Sequence, residues 1–244
     1  MKLVSALSLV GREALRIVLP SACVACNREL PWKDRVASCC GPCWTALPRI
    51  SRSTCRSCAQ PAPADSVEGF LCLNCQRDPL PVDWTDAWGE YRDGLEALLR
   101  ALKFSRHDFL DEALASLLEE SLRRRGDLGF DALVPVPMSR GRERRRGYNQ
   151  SELLARALSR RVAIPCDMTL LARGGKGTTQ STLPRRDRAA NVRHAFAAQP
   201  AVQCKSVLIN DDICTTGETL RACAGALLHS GAERVCALVV AKAT

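Results

Sequence analysis

The chain has 244 residues, of which 46% are hydrophobic, and a formal net charge of +9. That is enough apolar material for one large domain or a domain with a small module, and it excludes global disorder. No apolar run approaches the 18 residues an ordinary membrane helix needs. The charge is uneven. Between Arg123 and His194 stand 17 Lys and Arg against 6 Asp and Glu, a local excess of +11, so the rest sums to −2. The middle of the chain therefore concentrates positive potential suited to a phosphate-rich ligand.

In chain order, residues 1–19 carry Leu3, Leu7, Val10, Ala14, Ile17 and Val18 at helical spacing, with Arg12, Glu13 and Arg16 between them. This predicts an amphipathic N-terminal helix and not a secretory signal. Residues 20–80 form a cysteine-rich module. Eight of its nine cysteines make four CxxC pairs in a repeated frame: Cys23, Cys26, Cys40 and Cys43, then Cys55, Cys58, Cys72 and Cys75, each shifted by 32 residues. Cys39 falls outside that frame. A CxxC knuckle presents two thiolates to one ion, and tetrahedral zinc wants four, so two structural Zn²⁺ sites are expected. Sequential and cross-braced ligation share this spacing, and an iron–sulfur cluster accepts the same ligands. A disulfide framework would need an oxidising compartment, for which there is no address signal. Residues 20–78 have few large apolar side chains, and Pro, Ser and Arg are frequent, so this part should depend on metal for its fold. Arg28, Lys33, Arg35, Arg49, Arg52, Arg56 and Arg77 are its only cations, without an evident stacking ladder.

Prolines near residues 78–83 mark a boundary, after which residues 81–244 read as a second domain. WTDAWGEY (84–91) predicts a strand, broken at Gly94. Two helical leucine patterns follow, Leu95 to Leu102 and Leu110 to Leu118, joined by a turn with Lys103, Arg106 and His107. His107 reads as a surface or capping residue. Ala132 to Val136 predicts a strand, Ser151 to Ser159 a helix, Gly174 to Arg188 a mobile loop and Asn191 to Phe196 another strand. Near the end, Ser206 to Ile209 is a buried-type strand, with the polar NDDICTTGET read as a loop directly after it. The helix Leu220–Leu228 and the strand Val235–Val240 complete a βαβ unit of a parallel sheet. Cys166, Cys204, Cys214, Cys223 and Cys236 lack metal spacing and read as small buried side chains.

Ligands of such sheets sit at the carboxyl ends of strands, where NDDICTTG falls. Asp211 and Asp212 repel each other unless something satisfies them, and sugar hydroxyls or hydrated Mg²⁺ would do so. Thr215, Thr216 and Gly217 precede a helix, and hydroxyls plus helix N–H groups make a phosphate cradle. Diol recognition beside phosphate recognition describes a 5-phosphorylated ribose.

VLINDDICTTGETL resembles the 5-phosphoribosyl diphosphate (PRPP) motif of type I phosphoribosyltransferases. With DALVPVPMSRGRERRRGYNQSELLARAL, LLARGGKGTTQSTLPRRDRAANVRHAF, AGALLHSGAERVCALVVAKA and the cysteine-rich start followed by YRDGLEALLRALKFSRH, nearly the whole chain resembles the ComF family of competence-related proteins and its gluconate-utilisation-type relatives. The resemblance implies an α/β type I phosphoribosyltransferase fold, a parallel-sheet core with flanking helices, preceded by a small zinc-ribbon module. It implies that Asp211 and Asp212 hold ribose hydroxyls as the catalytic pair, and that Thr215, Thr216, Gly217, Glu218 and Thr219 wrap the 5-phosphate. Pro137, Met138, Ser139 and Arg140 take the pyrophosphate-loop position, and Gln180, Ser181 and Arg185, with Arg186 and Arg188, the lid. Asn210 departs from the motif's usual apolar residue, with its amide either hydrogen-bonded or exposed at a strand end. Tyr148, Asn149 and Gln150 read as a polar patch, Asn149 as a helix cap.

The resemblance implies a phosphoribosyltransferase using PRPP and Mg²⁺, with the acceptor unread, in a cytoplasmic protein, peripheral at the inner membrane face at most. The alternative is a single-stranded nucleic-acid-binding or interaction protein of DNA uptake, partnering competence or helicase proteins, with PRPP as regulatory ligand or the site as a relic. Arg142, Arg144, Arg145 and Arg146 are the candidate nucleic-acid contacts.

Overall fold

A computed structural model describes residues 22–31, 38–50, 53–104, 110–174, 195–199 and 205–244. The expected N-terminal helix, His107, Cys204 and the lid candidates Gln180, Ser181 and Arg185 lie outside these residues.

The 32-residue sequence repeat is a structural repeat. In the first copy Cys23 N donates to Arg28 O and Cys40 N to the Cys23 sulfur; in the second, Cys55 N donates to Gln60 O and Cys72 N to the Cys55 sulfur. Asn27 and Ala59, at equivalent positions, both turn through the left-handed region with φ of 58° and 60°. Each second knuckle opens a single helical turn, α1 (Gly41–Thr45) and α2 (Leu73–Arg77). The four sulfurs of each copy gather within 4.8 Å of one another, so ligation is sequential and not cross-braced. A tetrahedron with Zn–S bonds of about 2.3 Å has edges of about 3.8 Å. The Cys26–Cys40 and Cys58–Cys72 sulfurs stand 3.8 and 3.7 Å apart, so both sites fit zinc.

The remaining elements are β1 (Thr85–Glu90), α3 (Asp93–Phe104), α4 (Leu110–Arg125), β2 (Ala132–Pro135), α5 (Arg140–Arg146), α6 (Gln150–Val162), β3 (Leu171–Arg173), β4 (Phe196–Ala198), β5 (Ser206–Cys214), α7 (Glu218–His229) and β6 (Arg234–Lys242). Four strands form a parallel sheet in the order β1-β6-β5-β2, and β3 pairs antiparallel with β4. β6 is buried from Val235 to Lys242, which explains its nearly unbroken apolar run: both faces are covered. Leu208, Leu238 and Val240 face α3, α4 and α6, where Leu95, Leu98, Leu99 and Leu102 are wholly buried. Each such leucine contributes roughly 1.5–3 kcal/mol. Val207, Ile209, Val235 and Val239 face the other core, with Leu220, Cys223 and Leu227 of α7.

The ribbons divide between these faces. Cys23, Leu30, Cys40 and Leu47 of the first join the α3–α4 core, whereas Cys55, Cys58, Cys75 and Leu80 of the second join the α7 core. The segment between them covers the free edge of β1: Glu90 N donates to Pro48 O and Ile50 N to Trp88 O. Gly89 is required there, because a Cβ would stand 2.7 Å from Pro48 O and from Leu95 Cδ2.

Two local expectations change. Lys103 belongs to the last turn of α3 and not to a turn between helices, and the strand expected from Asn191 is described only from Phe196. Cys214, Cys223 and Cys236 are buried, as expected of small packing residues, and Cys166 is half-buried. No helix among the described residues is long and apolar enough to cross a membrane.

The Cys40→Ser chain should lose one of two zinc ions and its order over residues 23–31 and 38–47, while Leu208 and its strand stay protected from hydrogen exchange. Two full equivalents of zinc in that variant would overturn the ligand set.

Candidate functional site

The carboxyl ends of β2, β5 and β6 open on one side of the sheet. β5 continues through Cys214, pairing Asp211 with Val239, Ile213 with Ala241 and Cys214 with Lys242. The acidic pair therefore lies in the strand, and the loop begins only at Thr215. This corrects the reading of a strand ending at Ile209. The polar residues stay extended because β6 runs beside them and satisfies their backbone. For the same reason Asn210 is fully buried, its Nδ2 donating to Leu238 O at 3.1 Å, and is not exposed at a strand end.

The two carboxylates meet different partners. Asp211 Oδ1 accepts from the Ser151 hydroxyl at 2.7 Å and from the Asp212 amide at 2.9 Å. Asp212 Oδ2 is ion-paired with Lys103 Nζ at 2.7 Å, and the Asp212 side chain is only 5% exposed. Burial, and then the charge of Asp212, push the Asp211 carboxyl up to about 7; the Ser151 hydroxyl, the Asp212 amide and Lys103 pull the other way. A carboxyl raised by burial and a neighbouring like charge is a feature of functional sites.

Ser151 is placed by Asn149, whose Oδ1 accepts from Ser151 N and whose Nδ2 donates to Val136 O, tying the start of α6 to the end of β2. Tyr148 donates its hydroxyl to Leu102 O, beside Lys103, and Gln150 accepts from Arg146. Asn149 caps α6, as expected, and Tyr148, Asn149 and Gln150 tie neighbouring elements together.

Thr215 and Thr216 are exposed, and Gly217, at φ 86°, caps α7, with Glu218 and Thr219 in its first turn. A Cβ on Gly217 would lie 2.8 Å from Leu80 Cδ1 of the second ribbon. Lys242, buried at the end of β6, donates from Nζ to Cys214 O and Thr215 O and so holds the loop from below. The Pro137–Arg140 segment leaves β2 next to the acidic pair, since Val136 N donates to Asn210 O at 2.9 Å. Pro137, Met138 and Ser139 are half-buried, while Arg140 opens the exposed helix α5.

The fold therefore brings Asp211, Asp212, Thr215 to Thr219 and Pro137 to Arg140 to one end of the sheet. It adds Lys103, Ser151 and Lys242, which sequence reasoning left out. A cation ending the apolar run of β6 was the only signal for Lys242; Lys103 had none.

The chain matches the double zinc ribbon domain over residues 14–78 and the phosphoribosyl transferase domain over residues 149–244. It is 33% identical over 226 residues to the DNA utilization protein YhgH of Escherichia coli (strain K12), covering 90% of this chain and 96% of that one. Competence protein F of Haemophilus influenzae is 33% identical over 171 residues, 67% of this chain and 75% of its own. Competence protein ComFC of Bacillus subtilis is 26% identical over 198 residues, 79% and 78% of the two chains.

The raised Asp211 carboxyl has a consequence for pH. Its folded value lies above the unfolded 3.8, so its contribution to stability is complete below 3.8 and is lost as pH rises through about 7. The ionised form is the one that accepts hydrogen bonds from a diol. Affinity for a ligand whose hydroxyls bind that carboxylate should therefore rise as pH passes through about 7, and Asp211→Asn should flatten that profile. Calorimetry at several pH values checks this, and an equally steep profile in the variant would overturn it.

Proposed function

We propose, from the premise that this chain belongs to the ComF family, that it is a phosphoribosyl-binding protein of DNA utilization, with PRPP and Mg²⁺ taken at the end of β5. The observation that carries this reading is the Asp211–Asp212 pair, with one carboxyl held by Ser151 and the other by Lys103, one turn of chain before the Thr215–Gly217 cap of α7. In this reading the two carboxylates accept hydrogen bonds from the ribose hydroxyls. The hydroxyls of Thr215, Thr216 and Thr219 and the free N–H groups of the α7 start take the 5-phosphate. The segment Pro137 to Arg140 takes the pyrophosphate. Mg²⁺ bound with the diphosphate would offset its charge as the ribose–oxygen bond loosens. Lys103 pairs with Asp212 within its buried site, and Asp211 is the carboxyl whose affinity for protons burial raises. In this reading the protein works in the cytoplasm, where the eight thiols of the two zinc sites would stay reduced.

Titration of the zinc-replete chain with PRPP in millimolar Mg²⁺ tests this reading. Removing a charged hydrogen-bond acceptor costs about 1.5–3 kcal/mol, so Asp212→Asn should weaken binding about 10- to 100-fold. Unchanged affinity in a folded variant would overturn the assignment.

A second reading concerns the nearby basic face. Arg142, Arg144 and Arg145 of α5 are exposed and form no ion pair with another described residue; Arg146 lies 5.4 Å over the Phe104 ring, which is 72% exposed. Lys103, Phe104, Arg142, Arg145, Arg146 and Tyr148 line a cleft of about 460 Å³. Cations beside an exposed aromatic suit single-stranded nucleic acid, with phosphates on the arginines and a base on Phe104. Anisotropy of a labelled oligothymidylate should show weaker binding by Arg142→Gln/Arg145→Gln, with a salt slope shallower by about 0.7 per arginine. An unaltered slope and affinity would remove this reading and leave the first intact.

A further inference from the structure

The two ribbons repeat each other in sequence and geometry, yet they touch different parts of the molecule. The first packs on α3: a Cβ on Gly94 would meet Leu47 Cδ2 at 3.1 Å and Ala25 Cβ at 3.7 Å. The second packs on the Thr215–Gly217 loop at three places. Before the loop, the Cys214 thiol donates to the carbonyl of Cys58, itself a member of the second four-cysteine cluster, at 3.8 Å. At the loop, Leu80 fills the space that a Cβ on Gly217 would need. Beyond it, Arg221 in α7 donates to Asp78 O at 3.0 Å, Asp78 Oδ1 at 3.1 Å and Pro79 O at 2.9 Å. Leu80 is in turn fixed to the ribbon, since its N–H donates to Ser57 Oγ at 2.8 Å, between Cys55 and Cys58. Cys58, Cys72 and Cys75 share one cavity of about 680 Å³ with Thr215, Thr216 and Lys242.

We infer that the second cysteine site, and not the first, sets the conformation of the phosphate loop, with Leu80 and Arg221 as the positioning residues. A four-cysteine ribbon has too little apolar core to hold its shape without metal. Residues 78–80 take their position from that ribbon, and Gly217 takes its left-handed conformation against Leu80. The N–H groups at the start of α7 point where that conformation aims them. Zinc at Cys55, Cys58, Cys72 and Cys75 is thereby linked to phosphate binding, whereas zinc at Cys23, Cys26, Cys40 and Cys43 is linked to α3. The inference rests on the phosphoribosyl reading for its ligand and not for its geometry.

Hydrogen exchange over residues 214–221 of the zinc-loaded full chain tests it without any ligand. Cys75→Ser should lose one of two zinc ions and accelerate exchange there at least tenfold; Cys26→Ser should also lose one zinc but leave that segment unchanged. Equal acceleration in both variants, or none in a Cys75→Ser chain that has lost its zinc, overturns the inference. Leu80→Ala leaves all eight ligands in place: it should keep two zinc ions, accelerate the same segment, and be rescued by Leu80→Met. Slow exchange in Leu80→Ala overturns the inference whatever the cysteine variants do. PRPP affinity separates the two ideas. Where the native chain binds PRPP, Leu80→Ala should weaken it severalfold, and equal affinity counts against Leu80. A native chain that binds none removes the proposed ligand, while the exchange measurements still decide the role of the ribbon.

Discussion

Parallel pairing of β5 with β6, from Ser206 opposite Arg234 to Cys214 opposite Lys242, is the constraint on which the rest of the molecule depends. It carries a strand of mixed polarity, SVLINDDIC, through the centre of the sheet because β6 supplies backbone partners and an apolar lining as far as Ala241. Asn210 is buried by the same pairing and spends its amide on Leu238 O, one strand away. The pairing also decides that a lysine, and not an apolar residue, lies under the loop at Thr215. A single-residue slip would move Lys242 away from the loop and reverse the face of every core residue on β5.

Two neighbouring carboxylates in a low-dielectric site cannot both be charged without compensation. The chain resolves this asymmetrically. Lys103 compensates Asp212 from the end of α3, and Ser151 gives Asp211 only a hydroxyl from the start of α6. One carboxyl has a cation beside it, while burial pushes its neighbour, Asp211, up to about 7. Both partners depend on the Tyr148–Asn149 corner, where Tyr148 secures the end of α3 and Asn149 secures Ser151. The short connection between α5 and α6 therefore positions both carboxylates' partners at once.

The ribbons do more than precede the sheet. One covers the α3 side, the other the α7 side, and the chain between them shields the edge of β1. A parallel sheet must bury both faces, and here metal-bound modules supply part of that cover where additional helices would otherwise be required. Their repeated local geometry reflects the repeated cysteines. Their different neighbours reflect the position of each in the chain.

The parallel sheet, the two four-cysteine sites, and the acidic pair followed by TTG were legible in the sequence because each is a local pattern. Apolar runs mark strands buried on both faces, CxxC spacing suits a tetrahedral ion, and Gly217 permits a left-handed cap. The end of β5 was misread because polarity at Asn210, Asp211 and Asp212 imitates a loop when no neighbouring strand is in view. Lys103, Ser151 and Leu80 stand 109, 60 and 137 residues before the positions they serve, Asp212, Asp211 and Gly217. Nothing in their immediate sequence specifies those contacts. The sequence by itself determined the parallel-sheet core, the two sets of four cysteines and the acidic pair with its TTG turn. Only the tertiary structure decided that each set of four shares one site in sequence, which cation meets which carboxylate and which ribbon meets the Thr215–Gly217 loop, because those pairings arise from strand register and face-to-face packing between distant segments.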